Sequence, residues 1–418
     1  DRVNFTTALE GGATVLGLLG DDQFIVDDTA VPTTIEAGGG RDFIQVGQLF
    51  GAARNTPFVA PGDRFETTLV DLSPAGSQTG SIVGYLSNGA TQPLTVNGGD
   101  GNHRMIVFRN LATLTLNGDA GDDSFSVRAF ALVGPSASTA IAGGGGADSI
   151  EYAENANVDI NGGDGLDSIR ILGTQLGDTF TITEQGVNGA GLNVRFTAVE
   201  SLELHAGDGN DTIYILATPT GVRVAVFGGA GSDRFFVTGT SPATGDVRPD
   251  TLTRIDGPIL IEGGPGDAEI FGLDSARLMV GERGLRLPPG ACSMFSQEQP
   301  GDVDTLDVSG PAETRDLTGS HAAGIWPDGG AGLAVHILSG LALGGPLTQD
   351  GVTTPGGISY RSLEIVDVQL GSGAETLAIS SVAANATTVF RGNGGADRFT
   401  ITAAAVADAF VVVFGDNA

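Results

Sequence analysis

No lysine occurs anywhere in the chain; all 20 basic residues are arginine. That absence excludes a P-loop lysine, a Schiff-base lysine and a lysine general base. Only one cysteine is present, Cys292, so no disulfide framework can form within the chain. A buried, inert thiol is the plainest role for it, and an intermolecular bridge is the other. Aromatic residues make up 6% of the sequence, and the four histidines, His103, His205, His321 and His336, are scattered. No G-x-S-x-G, H-E-x-x-H or C-x-x-C pattern occurs, so no familiar catalytic constellation is written in the sequence. The longest uncharged apolar run, residues 331–347, is short, glycine-rich and carries His336, which makes it a poor membrane span; no stretch reads as a signal peptide. Basic residues are outnumbered 50 to 20 by acidic ones. The resulting net charge of −30 disfavours nucleic acid and anionic membranes as partners and favours cations.

Glycine is what the chain has in abundance, with 67 residues, roughly twice the usual share. Many of them fall in a recurring pattern, Gly-Gly-x-Gly-x-Asp-[Ser/Thr]-apolar-x-apolar. Clear copies run from Gly143 through Asp148 to Ile150, Gly162 through Asp167 to Ile171, Gly207 through Asp211 to Ile215, Gly228 through Asp233 to Val237, and Gly392 through Asp397 to Ile401. With the Asp as marker, Asp123, Asp148 and Asp167 lie 25 and 19 residues apart, and Asp211 and Asp233 lie 22 apart. Apolar residues alternate after the marker, as in Thr212-Ile213-Tyr214-Ile215, which is the pattern of a strand with one buried face. A larger repeat lies above the small one: Phe196 to Val237 aligns without gaps on Tyr360 to Ile401.

A chain that repeats at a fixed period folds as stacked equivalent units. The expected fold is all-β, a parallel β-solenoid of roughly 15 to 18 rungs of about 20 residues each, about 70 to 90 Å long at the inter-strand spacing. Residues 1–46, 93–280 and 358–418 read as rungs, and 47–92 and 281–357 as insertions or wider rungs of one continuous array; 238–256 also lacks the motif. An antiparallel β-sandwich array is the runner-up, disfavoured because tight hairpin signals do not recur between the strands.

The Gly-Gly-x-Gly-x-Asp turns resemble the calcium-binding repeats of the repeats-in-toxin family, although here the motifs stand a full rung apart and not nine residues apart. Segments such as Ile358-Ser359-Tyr360-Arg361-Ser362-Leu363-Glu364 resemble the long β-strand-repeat surface proteins. The first resemblance implies calcium held between successive turns, since calcium takes hard oxygens from carbonyls and carboxylates. Candidate ligands are Asp42, Asp123, Asp148, Asp167, Asp211, Asp233 and Asp397, with Asp122, Asp164 and Asp208 nearby in the turns. The competing reading is that each Asp merely caps its own turn. Several copies are degenerate: His103, Ala268 and Glu375 stand where Asp is expected.

Together these features point to an extracellular or cell-surface structural or adhesive protein and not to an enzyme. A carbohydrate-active β-helix enzyme of the polysaccharide lyase or epimerase kind is one alternative, and a non-polymerising calcium-binding adhesin module the other. Surface polysaccharide is a candidate partner. Read from end to start, Ala418 followed by Asp1-Arg2 restores the Ala-Asp-Arg of Ala396 to Arg398. One period of a longer tandem array, or copies joined head to tail through the end rungs, as a filament, sheath or appendage, is therefore expected. Sequons at Asn4, Asn210 and Asn385 permit glycosylation without showing it.

Overall fold

The computed structural model describes residues 11–50, 66–69, 82–127, 139–153, 157–174, 176–189, 191–264, 301–402 and 409–416. Cys292, Ala268, Asn4, Asp1 and Ala418 lie outside the described residues, as do parts of the expected insertions. The protein is all-β among the described residues, apart from one turn of 3-10 helix at Leu252–Arg254. Its strands form long, mostly parallel ladders, which sets aside the antiparallel array. Two compact units divide them, one holding residues 11–171 and 191–199, the other 172–189, 200–264 and 301–416.

In the first unit one ladder runs through Ala13–Leu16, Thr33–Gly39, Leu94–Asp100, Leu114–Ala120, Thr139–Gly145, Asn157–Asp164 and Leu192–Thr197, every neighbouring pair parallel. A second ladder runs through Gln23–Val26, Phe43–Val46, Arg104–Val107, Ser124–Val127, Ser149–Tyr152 and Ser168–Thr174, again all parallel. The sequence alternation becomes burial alternation: Leu114 and Leu116 are wholly buried while Thr115 between them is partly exposed. Register aligns like with like, so Leu94, Leu114 and Thr139 share one row and Val96, Leu116 and Ile141 the next. On the outer face Asn117 Nδ2 donates to Asn97 Oδ1 at 2.7 Å, and Asn97 Nδ2 to Glu36 Oε1 at 3.0 Å. Within 47–92, a small antiparallel sheet joins Leu49–Phe50, Ile82–Leu86 and Glu66–Leu69.

In the second unit one ladder begins with the antiparallel pair Gly186–Gly189 and Thr179–Thr183. It then continues in parallel through Thr212–Ile215, Arg234–Val237, Thr305–Ser309, Ile365–Gln369, Thr387–Asn393 and Phe410–Asp416. Its second ladder runs in parallel through Ser201–Asp208, Arg223–Ala230, Ile259–Glu262 and Ile358–Arg361. A hairpin of Leu333–Gly340 and Thr318–Trp326 is lodged next, followed by Thr376–Ile379 and Arg398–Ile401. The segment 301–357 thus contributes the ladder strand Thr305–Ser309 as well as hairpins.

The glycines of the motif are explained by stacked corners. Gly101, Gly121 and Gly146 take φ of 128°, 125° and 134°, a region L side chains rarely enter. The corners also press on one another: a Cβ at Gly146 would stand 2.1 Å from the carbonyl oxygen of Gly121. Its neighbour Gly145 has open space around the equivalent position. Gly146→Ala is therefore expected to destabilise the chain by about 2 kcal/mol or more, and Gly145→Ala by well under about 1 kcal/mol, in denaturant melts of the two variants.

Candidate functional site

The marker residues stack because the strands that follow them are in register: Ser124, Ser149 and Ser168 are partners across three neighbouring strands, so Asp123, Asp148 and Asp167 precede them in a column. At the corner the backbone leaves strand geometry, and the marker's own N–H finds no ladder carbonyl. It donates instead to the carboxylate of the next marker. In the first unit Asp22 N–H reaches Asp42 Oδ1 at 2.7 Å, His103 N–H reaches Asp123 at 2.6 Å, Asp123 N–H reaches Asp148 at 2.7 Å and Asp148 N–H reaches Asp167 at 2.8 Å. In the second unit the same contact runs from Asp178 to Asp211 at 2.6 Å, Asp211 to Asp233 at 2.8 Å, Asp233 to Asp304 at 2.8 Å, Asp304 to Glu364 at 2.8 Å and Glu375 to Asp397 at 2.9 Å. Each Asp caps its neighbour's corner and not its own turn.

A second column lies just outside the first and runs the other way. Here the residue before the marker receives a bond from the following strand: Asp21 Oδ1 accepts from Arg41 N–H at 2.8 Å, Asn102 Oδ1 from Asp122 at 3.1 Å, and Asp122 Oδ1 from Ala147 at 2.9 Å. Asn210 Oδ1 accepts from Ser232 N–H and Ser232 Oγ from Val303 N–H, each at 2.9 Å. Successive corners are therefore laced in both directions by side-chain oxygens.

The inner column is buried, Asp42, Asp123, Asp148, Asp167, Asp211 and Asp233 all being at most 2% exposed; Asp397 is half-buried. The second oxygen of each of Asp123, Asp148, Asp211, Asp233 and Asp397 has no hydrogen-bond partner among the described residues, and that of Asp42 meets only His103 Nε2, at 3.4 Å. It turns back over the first glycine of its own motif, so that a Cβ at Gly143 would fall 2.2 Å from Asp148 Oδ2 and one at Gly228 2.3 Å from Asp233 Oδ2. Ala37 and Ala206 hold that place before Asp42 and Asp211, so a methyl is tolerated at some corners. Burial pushes Asp148 up to about 6, Asp211 to about 8, and Asp233 and Asp304 to about 7; the bonds from neighbouring N–H groups only partly offset it, and nearby carboxylates add to it. Glu375 is pushed to about 7 by burial and by Asp397 beside it.

His103 interrupts the column of acids. Its Nδ1 lies 2.9 Å from Asp123 Oδ1 and its Nε2 3.4 Å from Asp42 Oδ2, with all three side chains buried. Burial works against its positive charge, but the Asp123 bond and the charges of Asp123, Asp42 and Asp119 outweigh burial and raise its pKa. What reads in the sequence as a degenerate copy is thus an imidazole held between two carboxyl groups, which favour its protonated form.

All seven residues proposed as calcium ligands fall in the inner column. There each corner offers one inward carboxylate with one oxygen committed to an N–H, whereas calcium takes about six to eight oxygens. Among the described residues, no three His, Cys, Asp or Glu side chains converge as a metal site requires. Sequence reasoning missed Asp22, Asp178, Asp304 and Glu364. Asp178 and Asp304 each precede Thr-apolar-x-apolar, a signal that was available. For Asp304 the glycine half of the motif, Gly263-Gly264, is separated from it by residues 265–303, and the fold rejoins the halves: a Cβ at Gly263 would lie 2.3 Å from Asp304 Oδ2. His205 stacks on Phe227 at 4.4 Å with Glu203 3.6 Å away, a packing role. No family model and no curated protein matches the chain.

Because these carboxyl groups hold protons more tightly folded than unfolded, their contribution is fully present below the ordinary carboxylate range near pH 4 and is lost as pH rises through 6 to 8. The melting temperature is expected to fall by about 5 °C or more between pH 5 and pH 9. Asp211→Asn, which keeps the accepting oxygen and removes the charge, should flatten that profile and raise stability at pH 8, read by calorimetry. His103→Asp would make an unbroken row of six acids from Asp22 to Asp167 and should lower the melting temperature at pH 7 by several degrees, about 2 kcal/mol or more.

Proposed function

We propose that the chain is a structural or adhesive β-solenoid, the two ladders of each unit being the faces of a coil. It works outside the cell or at its surface, as a repeat unit or head-to-tail subunit of a filament, sheath or appendage. The observation that carries this reading is the double lacing of the corners. The motif's carboxylates are spent on strand-to-strand bonds, so the most repeated chemistry in the chain serves cohesion along the ladder. Edge strands supply the means of extension: among the described residues Phe410–Asp416 is paired only with Thr387–Asn393, and Phe410 and Phe414 are 65% and 47% exposed. Ala13–Leu16 likewise pairs only with Thr33–Gly39, and Leu16 is 61% exposed. An open ladder edge is a template for a further strand.

Calcium enters this reading as an added stabiliser at outer corner carboxylates such as Asp122 and Asp164, which are exposed, and not in the inner column. A second reading, binding of a surface polysaccharide, is favoured by one row on the outer face of the second unit. Tyr214 and Phe236 stack at 5.2 Å and are followed in register by Asp307 and Asp367. Arg391 binds Asp367 at 2.7 and 2.9 Å, and burial followed by the charge of Asp367 raises Asp307. Such a mix of flat apolar and charged groups suits a sugar chain.

Electron microscopy and light scattering on the purified chain, with calcium and with a chelator, test the proposal. End-to-end assemblies are expected in both, with the chelator lowering the melting temperature by no more than a few degrees. A monodisperse monomer at high concentration in both conditions sinks the filament reading, and dissolution by chelator alone would return calcium to the centre of it.

A further inference from the structure

The hairpin of Thr318–Trp326 and Leu333–Gly340 interrupts an otherwise parallel ladder. It is wedged antiparallel to Ile358–Arg361 on one side, through His336, Ile337 and Leu338, and parallel to Thr376–Ile379 on the other, through Thr318 to His321. Its far end places Trp326 and Val335, both 3% exposed, over Ala225 and Leu260, with Phe227, Leu333 and Ile337 packed around them. An apolar lid thus covers the outward side chains of two ladder strands.

One buried histidine pins the wedge. His321 has no exposed surface; its Nδ1 lies 2.5 Å from the carbonyl oxygen of Ser381 and its Nε2 2.7 Å from the hydroxyl of Tyr360. A carbonyl can only accept, so Nδ1 carries the proton, and Nε2 is left to accept from the tyrosine. Both bonds tie the hairpin to its two neighbours in the ladder at once. His336 lies parallel to His321 at 6.1 Å, with Nδ1 3.3 Å from Ser381 Oγ, and Phe390 meets the His321 ring edge-on at 5.5 Å. The ionisable groups facing His321 are His336 from its own hairpin and Tyr360 from Ile358–Arg361. Thr376–Ile379 with the turn after it presents Ser380 and Ser381, and Thr387–Asn393 presents Phe390. None of these can neutralise an imidazolium.

We propose that this hairpin is an acid-released strap: protonation of His321 expels it from the ladder and bares the apolar face beneath Trp326. The proposal concerns regulation of the fold and goes beyond the structural role above. The direction follows from the burial. In the released hairpin His321 titrates near its ordinary 6.5, while burial holds it near 4 in place, so the released form gains a proton across that interval. Closure is nearly unaffected above about pH 7 and is weakened about 150-fold by pH 4, towards a limit of about 300-fold below it. His336, also lowered by burial, acts in the same direction. Asp148, Asp211, Asp233, Asp304 and Glu375, raised by burial, act in the opposite one, so a loosening on acidification does not come from them.

The chain's single tryptophan, Trp326, reports on the strap directly. Its emission and its quenching by acrylamide are followed on the full chain from about pH 7.5 to 4.5, with circular dichroism in parallel. A reversible red shift and a rise in quenching beginning below about pH 6.5, with the strand signal retained, are expected, and His321→Gln should abolish them. Flat emission across the range, or the same transition in H321Q, overturns the proposal. If H321Q does not fold, Tyr360→Phe decides: it strips Nε2 of its donor and should move the transition to higher pH by about half a unit or more, and an unmoved midpoint overturns the strap.

Discussion

The structure turns on one constraint, that a backbone N–H buried at a corner must find an acceptor. Within a strand the parallel ladder supplies one. At a glycine corner the chain changes direction through positive φ, and the ladder carbonyl is lost. A carboxylate from the next strand takes its place, and this single substitution accounts for the marker aspartate, its burial and its spacing. The glycine before it follows from the same contact, since the folded-back carboxylate and the adjacent strand's carbonyl leave little room at Gly118, Gly143 and Gly162. Lacing in the opposite sense by Asp21, Asn102, Asp122 and Asn210 makes each corner both donor and acceptor to its neighbours.

That arrangement stacks acids in a low-dielectric interior, where like charges and desolvation both disfavour ionisation. The chain relieves the tension in two ways. Some carboxyl groups keep their protons into the neutral range, as the raised Asp211 and Asp233 show. In the first unit, His103 stands between Asp42 and Asp123, where their proximity favours its protonated form. A column of acids is thus compatible with a stable core when not all its members are charged together. The histidine strap in the second unit obeys the same physics with the sign reversed, because there burial holds a base neutral against the pull of the Ser381 carbonyl.

Much of this was legible in the residues. The alternation in Ser124-Phe125-Ser126-Val127 and the glycine turns announce strands and corners, and the constant distance from marker to strand implies that Asp123, Asp148 and Asp167 stack on successive rungs. The direction of each carboxylate was not legible. A ligand that faces a cation and an acceptor that faces an N–H leave the same letter at the same spacing, and only the fold shows that one oxygen of each meets the neighbouring N–H. Asp304 was hidden for a different reason: residues 265–303 separate it from Gly263, and local patterns cannot join halves that far apart.

The sequence alone determined the repeat, the strand periodicity and the corner positions, because these depend on local conformational preference and on which side chains must leave water. Only the tertiary structure decided what the repeated acids bind, that His103 is an ion-pair partner and not a lost copy, and that Trp326 and His321 belong to an inserted hairpin. Those outcomes depend on which strands become neighbours, and neighbours 20 to 70 residues apart are chosen by packing and register across the whole ladder.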